Sequence, residues 1–442
     1  MNQQFTTYRN LFFVSLFISS FFFFGDFKWY EVCSISIFFF FILKFAFDLG
    51  KDLSIKNIIA IIASMQYLLG AVLGYVYDEY VSYQMQVPKE EYFSFALPAT
   101  IFYFIGIFWP LNKVKDKKAV ERYPINYYRK GRLLIIIGFI AGFLPLGFLG
   151  YILGGLKFVG LFYMLSSNNR FKYYWVIPVF GSLILSVLAS TMFHELILWG
   201  CFALMMFFLF KKSKFIYRLG IIAAGLTMIM VIQLVKKDYR LAVSNKPVNA
   251  NNVELFITQI KNRFSGDNPW FSVNDIGNNV DRLNQGWIIS RVMANVPDHT
   301  PFANGATIED ALIASIFPRF LLPDKAVANG HSNMLAYADT ELNEWTSMDI
   351  GQVGEAYANF GIIGGVAFMF IFGLFLNWII SFLERKIIKY PDLIFWIPLI
   401  FLQAIKAETD VATILNHITK TLIVTWAFFS PIGKKILNSK IS

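Results

Sequence analysis

The sequence predicts an all-α integral membrane protein of about twelve transmembrane helices with one large helical loop on the extracytoplasmic side. Three observations predict it. Hydrophobic residues make up 56% of the 442 positions against 15% charged, with a mean hydropathy of +0.53, too few charges to cover a soluble globule. Apolar runs of about 18 residues recur, the length a helix needs to cross the hydrocarbon core. Basic residues gather in short loops that fall on one side when the runs are counted as crossings.

Spans are expected near 9–24, 30–47, 57–77, 92–110, 133–150, 152–168, 173–190, 191–210, 215–235, 360–382, 391–406 and 412–432. The first run, Leu11 to Phe24, lacks a small-residue cleavage site, so it reads as a retained helix and not a signal peptide. With 49 Phe, the lipid-facing surface should be Phe-rich. The segment Leu111–Arg132 holds eight Lys/Arg against two acids, Lys211–Arg218 four against none, and Glu384–Tyr390 three against one. Lys434, Lys435 and Lys440 follow in the tail. Twelve crossings place all of these in the cytoplasm with both termini, and losing one crossing would flip half of them. The net charge of +10 therefore reports topology, not a nucleic-acid partner. The stretch 133–168, crowded by Gly142, Pro145, Gly147, Gly150, Gly154 and Gly155, admits a kinked helix pair or a re-entrant hairpin buried in protein. Cys33 and Cys201 lie inside apolar runs and read as inert thiols without metal-ligand spacing.

The chain thus divides into residues 1–235 with about nine spans, a polar loop over 236–357, and residues 358–442 with about three spans. The loop carries 10 Lys/Arg and 14 Asp/Glu, opposite in balance to the basic loops. After an Asn/Pro-rich linker, Ser244 to Asn252, three apolar stripes predict helices. They are Val253/Phe256/Ile257/Ile260/Phe264, Ile288/Ile289/Val292/Met293/Val296 and Ile308/Ala311/Leu312/Ser315/Ile316. A long loop on a compact scaffold is where function is expected.

Within that loop Arg240, Arg263, Arg282, Arg291 and Arg319 are spread through acidic sequence. Their planar forks suit phosphate oxygens, although each could simply pair with a neighbouring Asp or Glu. Arg282 and Arg291 would face apart on one straight helix, unless Gly286 breaks it. Two prolines, Pro318 and Pro323, bracket Arg319 and fix its backbone. His331 is a titratable candidate or a plain surface imidazole. Glu355 and Asn359 are i, i+4 at the re-entry into the membrane, with Gly361, Gly364 and Gly365 allowing close helix approach. A carboxylate there must be paired, face a wet cavity, or snorkel. His194, Glu195, Lys406, Glu408 and Asp410 fall in outer turns that could line the same cavity, and His417 reads as a packing residue. No phosphate-binding Gly-rich loop and no Asp-x-Asp pair occurs, which argues against ATP-driven transport and metal-dependent nucleotide-sugar chemistry.

The stretch Val296-Pro297 through Gly305, then Phe317-Pro318-Arg319-Phe320-Leu321-Leu322-Pro323-Asp324-Lys325, resembles the O-antigen and exopolysaccharide repeat-unit polymerases (Wzy type). Gly354-Glu355-Ala356-Tyr357-Ala358-Asn359-Phe360-Gly361 with Gly364 is similar to that family's re-entry motif. Leu322 stands where relatives often have Trp, and Ala326 where a proline is frequent; both are packing positions. The resemblance, over about 70 residues, implies a GT-C-like glycosyltransferase at the bacterial inner membrane. It would join undecaprenyl-pyrophosphate-linked repeat units into O-antigen, capsule or exopolysaccharide, with no metal or other cofactor. A chain-length regulator and a flippase are the protein partners it suggests. On this reading Arg291 and Arg319, then Arg282 and Arg240, would meet the pyrophosphate as it leaves. Glu355 or His331 would be the base, with Lys325, Tyr357 and Asn359 on the rest of the substrate. An O-antigen ligase shares architecture and donor. A lipid-linked oligosaccharide flippase would instead call for inverted repeats and mid-membrane polar sites, and no repeat is evident.

Overall fold

The computed structural model describes residues 2–21, 25–51, 53–111, 127–211, 213–244, 251–265, 273–317, 330–343 and 348–438. The described chain is helical, without a β-strand. Its first half comprises α1 (Asn2–Ser20), α2 (Trp29–Asp48), α3 (Ile55–Val76), α4 (Lys89–Phe108), α5 (Tyr127–Phe143), α6 (Gly147–Leu165), α7 (Arg170–Ser190), α8 (His194–Phe210) and α9 (Phe215–Ser244). Shorter helices follow in the polar segment: α10 (Asn252–Ser265), α11 (Val273–Leu283), α12 (Gly286–Asn295), α13 (Ala306–Ile316) and α14 (His331–Ala338). The chain closes with α15 (Gly351–Lys389), α16 (Ile397–Ile400), α17 (Val411–Phe429) and α18 (Pro431–Asn438).

This is a helical membrane protein. Among the described residues, α2, α3, α4, α6, α7, α9, α15 and α17 are long and apolar enough to cross a membrane; α8 is apolar but shorter. Phe13, Phe17, Phe21, Phe143 and Phe207 are exposed on the apolar surface, the Phe-rich exterior expected from composition. Both cysteines are free thiols.

The glycine-crowded stretch folds as two helices joined by a short turn. Room for both exists because α5 begins at Tyr127, six residues before the expected start. The two pack side by side through glycine: a Cβ at Gly131 would lie 2.5 Å from the Gly160 carbonyl oxygen, and one at Gly138 2.5 Å from the Lys157 nitrogen. A second close crossing joins α4 and α15, where a Cβ at Gly106 would sit 2.4 Å from the Phe370 oxygen, the small-residue contact that membrane helices favour.

Two irregularities shape the polar end. In α3 a π-helical turn spans Ser64–Leu69. The freed carbonyls of Gln66 and Tyr67 accept from the Gln285 amide at 3.1 Å and the Tyr92 hydroxyl at 2.8 Å. In α15 the helix breaks at Gly361 (φ 64, ψ −158). The loop before α13 fills that break, with Ala303 N–H on the Ala358 carbonyl (2.9 Å) and Asn304 N–H on the Asn359 carbonyl (3.1 Å). The three stripes of the polar segment become α10, α12 and α13, and α11 and α14 join them. The sequence leaves open whether Gly286 breaks the helix between Arg282 and Arg291; α11 stops at Leu283 and α12 opens at Gly286. At the opposite end, Lys44 donates to Asp48 and Asn57 (both 2.7 Å), Arg218 donates to the Phe47 and Leu49 carbonyls, and Lys130 pairs with Asp392 at 3.3 Å.

Candidate functional site at the polar end

Helix α9 runs nine residues past its expected end at 235, to Ser244. That extension places Lys236 and Arg240 one turn apart on one face. Arg282, at the end of α11, acts electrostatically on both, and Glu408 is the carboxylate in range of Lys236. Arg240 donates to the Thr191 carbonyl at 3.4 Å, while its Nε is buried without a partner. Lys236 also faces the Phe193 ring, 5.9 Å from its centroid. Next to Lys236, His194 Nε2 lies 3.2 Å from Lys406 Nζ. Among the described residues no ion pair within 4 Å joins Lys236, Arg240, Arg282 or Lys406 to a carboxylate. Glu195 and Glu408 act electrostatically on Lys406, and the remaining cations give this end a local excess of positive charge.

The turn 406–410 links these cations to a second, acidic group. The Tyr67 hydroxyl and the Gln352 amide hold its Ala407 and Lys406 carbonyls, and Gln66 donates to Glu408 at 3.4 Å. Asp410 caps α17 by accepting from the Thr413 amide at 2.7 Å. Asp349 is hydrogen-bonded to Asp410 and lies near Glu355; burial first, then those two carboxylates, hold its carboxyl well above the usual carboxylate range. Its Oδ1 is buried without a partner. Gly330 (φ 70) abuts it so closely that a Cβ there would lie 2.8 Å from Asp349 Cγ. His331, the next residue, opens α14 and is half-buried.

Glu355 is 1% exposed. Its Oε1 accepts from the Thr307 hydroxyl at 2.7 Å and its Oε2 from the Val411 amide at 2.9 Å, tying α15 to α13 and α17. Asn359 lies on the same helical face, as the spacing predicts. It donates to Thr307 Oγ1 (2.7 Å) and accepts from Gly305 N–H (3.0 Å). Both side chains are engaged in holding the kink. Tyr357 is buried against Phe95 and Phe302, ring centroids 5.0 and 6.2 Å away.

The arginines separate. Arg240 and Arg282 converge with Lys236. Arg291 donates instead to the Ala338 and Asp339 carbonyls at 3.1 and 3.2 Å, closing the C-terminus of α14, and Arg263 pairs with Asp275. Arg319 and Lys325 lie outside the described residues. His417 is fully buried with Nε2 on the Leu399 carbonyl at 2.8 Å, a packing role. Sequence reasoning missed Lys236, Asp349 and Thr307; only Lys236 carried a signal, its i, i+4 spacing to Arg240. Among the described residues no group of three or more His, Cys, Asp or Glu is arranged to hold a metal. A hollow lined by Asp26, Glu31, Tyr75 and Lys89 shares no residue with either cluster.

Comparison with protein-family models, with curated proteins and with solved structures finds no match.

Proposed function

We propose that this protein is a glycosyltransferase that polymerises undecaprenyl-pyrophosphate-linked repeat units on the outer face of the bacterial inner membrane. In this reading the chain crosses about twelve times, both termini are cytoplasmic, and residues 236–357 form a cap over the outer face. The observation that carries it is that Lys236, Arg240 and Arg282 lie within electrostatic range of one another, with Glu408 the carboxylate acting on Lys236. Their position at the end of a long apolar helix suits a lipid whose phosphates sit at the membrane surface. The acceptor hydroxyl oxygen attacks the anomeric carbon of the donor, and the bond from that carbon to pyrophosphate breaks. Pyrophosphate leaves with the electron pair, and the cations stabilise its growing charge. The hydroxyl proton passes to a base. Glu355 and His331 are the two candidates for that role; the two oxygens of Glu355 accept bonds from Thr307 and Val411.

The test is turnover by purified protein given the lipid-linked repeat unit of its source organism, with neither metal nor nucleotide. A ladder of multiples is the expected product. Transfer to a lipid A–core acceptor alone would instead make it a ligase. Movement of labelled lipid across proteoliposomes, with no transfer, would leave the flippase.

A further inference from the structure

The loop between α3 and α4 brings an aromatic ring to the edge of the cation cluster. Tyr83 stacks on Trp287 of α12, centroids 4.4 Å apart and planes 12° from parallel. Trp287 is 4% exposed, whereas Tyr83, stacked on it by one face, remains 36% exposed. The loop is pinned on both sides of the ring. Asp281 accepts from the Ser82 amide at 2.9 and 3.0 Å and from the Tyr83 amide at 3.2 Å, and the Gln86 amide donates to Ser290 Oγ at 3.0 Å. Asp281 precedes Arg282, so one helix end fixes both the ring and a cation. The Tyr83 hydroxyl lies within electrostatic reach of Arg240. A tyrosine serving only to cover Trp287 would need neither the pinned backbone nor a place beside these cations.

We infer that Tyr83, buttressed by Trp287, is a stacking platform for the sugar ring bonded to the lipid pyrophosphate, a pyranose whose C–H face packs on the aromatic face. Resting on the proposed function, this separates two parts of one ligand. Lys236, Arg240 and Arg282 hold the phosphates, and Tyr83 holds the first sugar. An aromatic face accepts a ring of C–H groups without directional bonds, so Tyr83 selects for the presence and face of the sugar. A rigid, backed ring also loses little side-chain freedom on binding.

The experiment measures binding of two probes to the full chain in nanodiscs: polyprenyl pyrophosphate, and the same lipid carrying a single sugar. Wild type should bind the glycosylated lipid more tightly. Tyr83→Ala should weaken that complex about tenfold and leave the sugar-free lipid unchanged, while Tyr83→Phe should keep wild-type affinity for both. Equal wild-type affinity for the two lipids, or an equal loss on both in Tyr83→Ala, overturns the platform. If wild type binds neither lipid, the proposed function itself has failed.

Discussion

Replacing Glu355 separates two roles for a carboxylate at the membrane re-entry, brace or base. Its oxygens accept one bond from the Thr307 hydroxyl and one from the Val411 amide, in a setting 1% exposed. Glu355→Ala leaves both donors without this acceptor, each costing about 1–3 kcal/mol when buried, and opens a cavity besides. The two donors alone come to about 2–6 kcal/mol, a large share of the stability of an ordinary domain. Glu355→Gln keeps one acceptor oxygen and turns an NH₂ toward the other donor. The Thr307 hydroxyl can rotate but the Val411 amide cannot, so the loss should be about half, on the order of 1–3 kcal/mol. Relief of the repulsion from nearby Asp410 offsets part of this in both variants. The assay is thermal unfolding in detergent, with binding of polyprenyl pyrophosphate measured below the transition. Melting should fall in the order wild type, Gln, Ala, with binding retained by the folded fraction. Unchanged melting in Glu355→Ala together with lost turnover would refute the brace and make Glu355 the base.

Three further outcomes follow from the same geometry. Asp349 titrates above its unfolded value near 4, so the stability it contributes is complete below about pH 4 and lost as pH rises through the raised value. Asp349→Asn should therefore lose less melting temperature than wild type between about pH 5 and pH 9; parallel pH profiles would contradict the assignment. Gly361→Ala meets a backbone conformation almost reserved for glycine and would set a Cβ 3.1 Å from the Phe302 ring. It should cost about 1–3 kcal/mol, read as a lowered melting point, and wild-type melting would argue against the kink. Arg291→Ala should speed amide exchange in α14 by freeing the Ala338 and Asp339 carbonyls, with little change in polyprenyl-pyrophosphate affinity; a collapse in affinity would return Arg291 to the anion site.

Much of the fold is written in hydropathy and period. The stripes at 253–264, 288–296 and 308–316 mark three helices because apolar residues recur at the helical period; α12 buries its stripe, whereas α10 has no fully buried residue and Leu312 and Ile316 of α13 are exposed. The Glu355–Asn359 spacing marks a shared face because an α-helix repeats every 3.6 residues. The site was legible only in part. Arg240 and Arg282 were visible as scattered arginines, but α9 was expected to end at 235. Polar residues end a hydropathy window without ending a helix, and Lys236 was lost with them. Asp349 and Asp410 meet across two chain segments, and no local pattern reports such a meeting. Arg291 shows the converse: a guanidinium suited to phosphate satisfies two carbonyls of α14, a helix that sequence periodicity did not mark.

The central claim is that Lys236, Arg240 and Arg282 hold a lipid pyrophosphate, and equilibrium binding of polyprenyl pyrophosphate to the full chain in nanodiscs tests it most directly. Wild type should bind the pyrophosphate more tightly than the monophosphate, with affinity falling as salt rises. Arg240→Ala with Arg282→Ala should weaken the pyrophosphate complex tenfold or more, by about 1.4 kcal/mol or beyond, and flatten the salt dependence. Equal affinity in wild type and the double variant would contradict the claim.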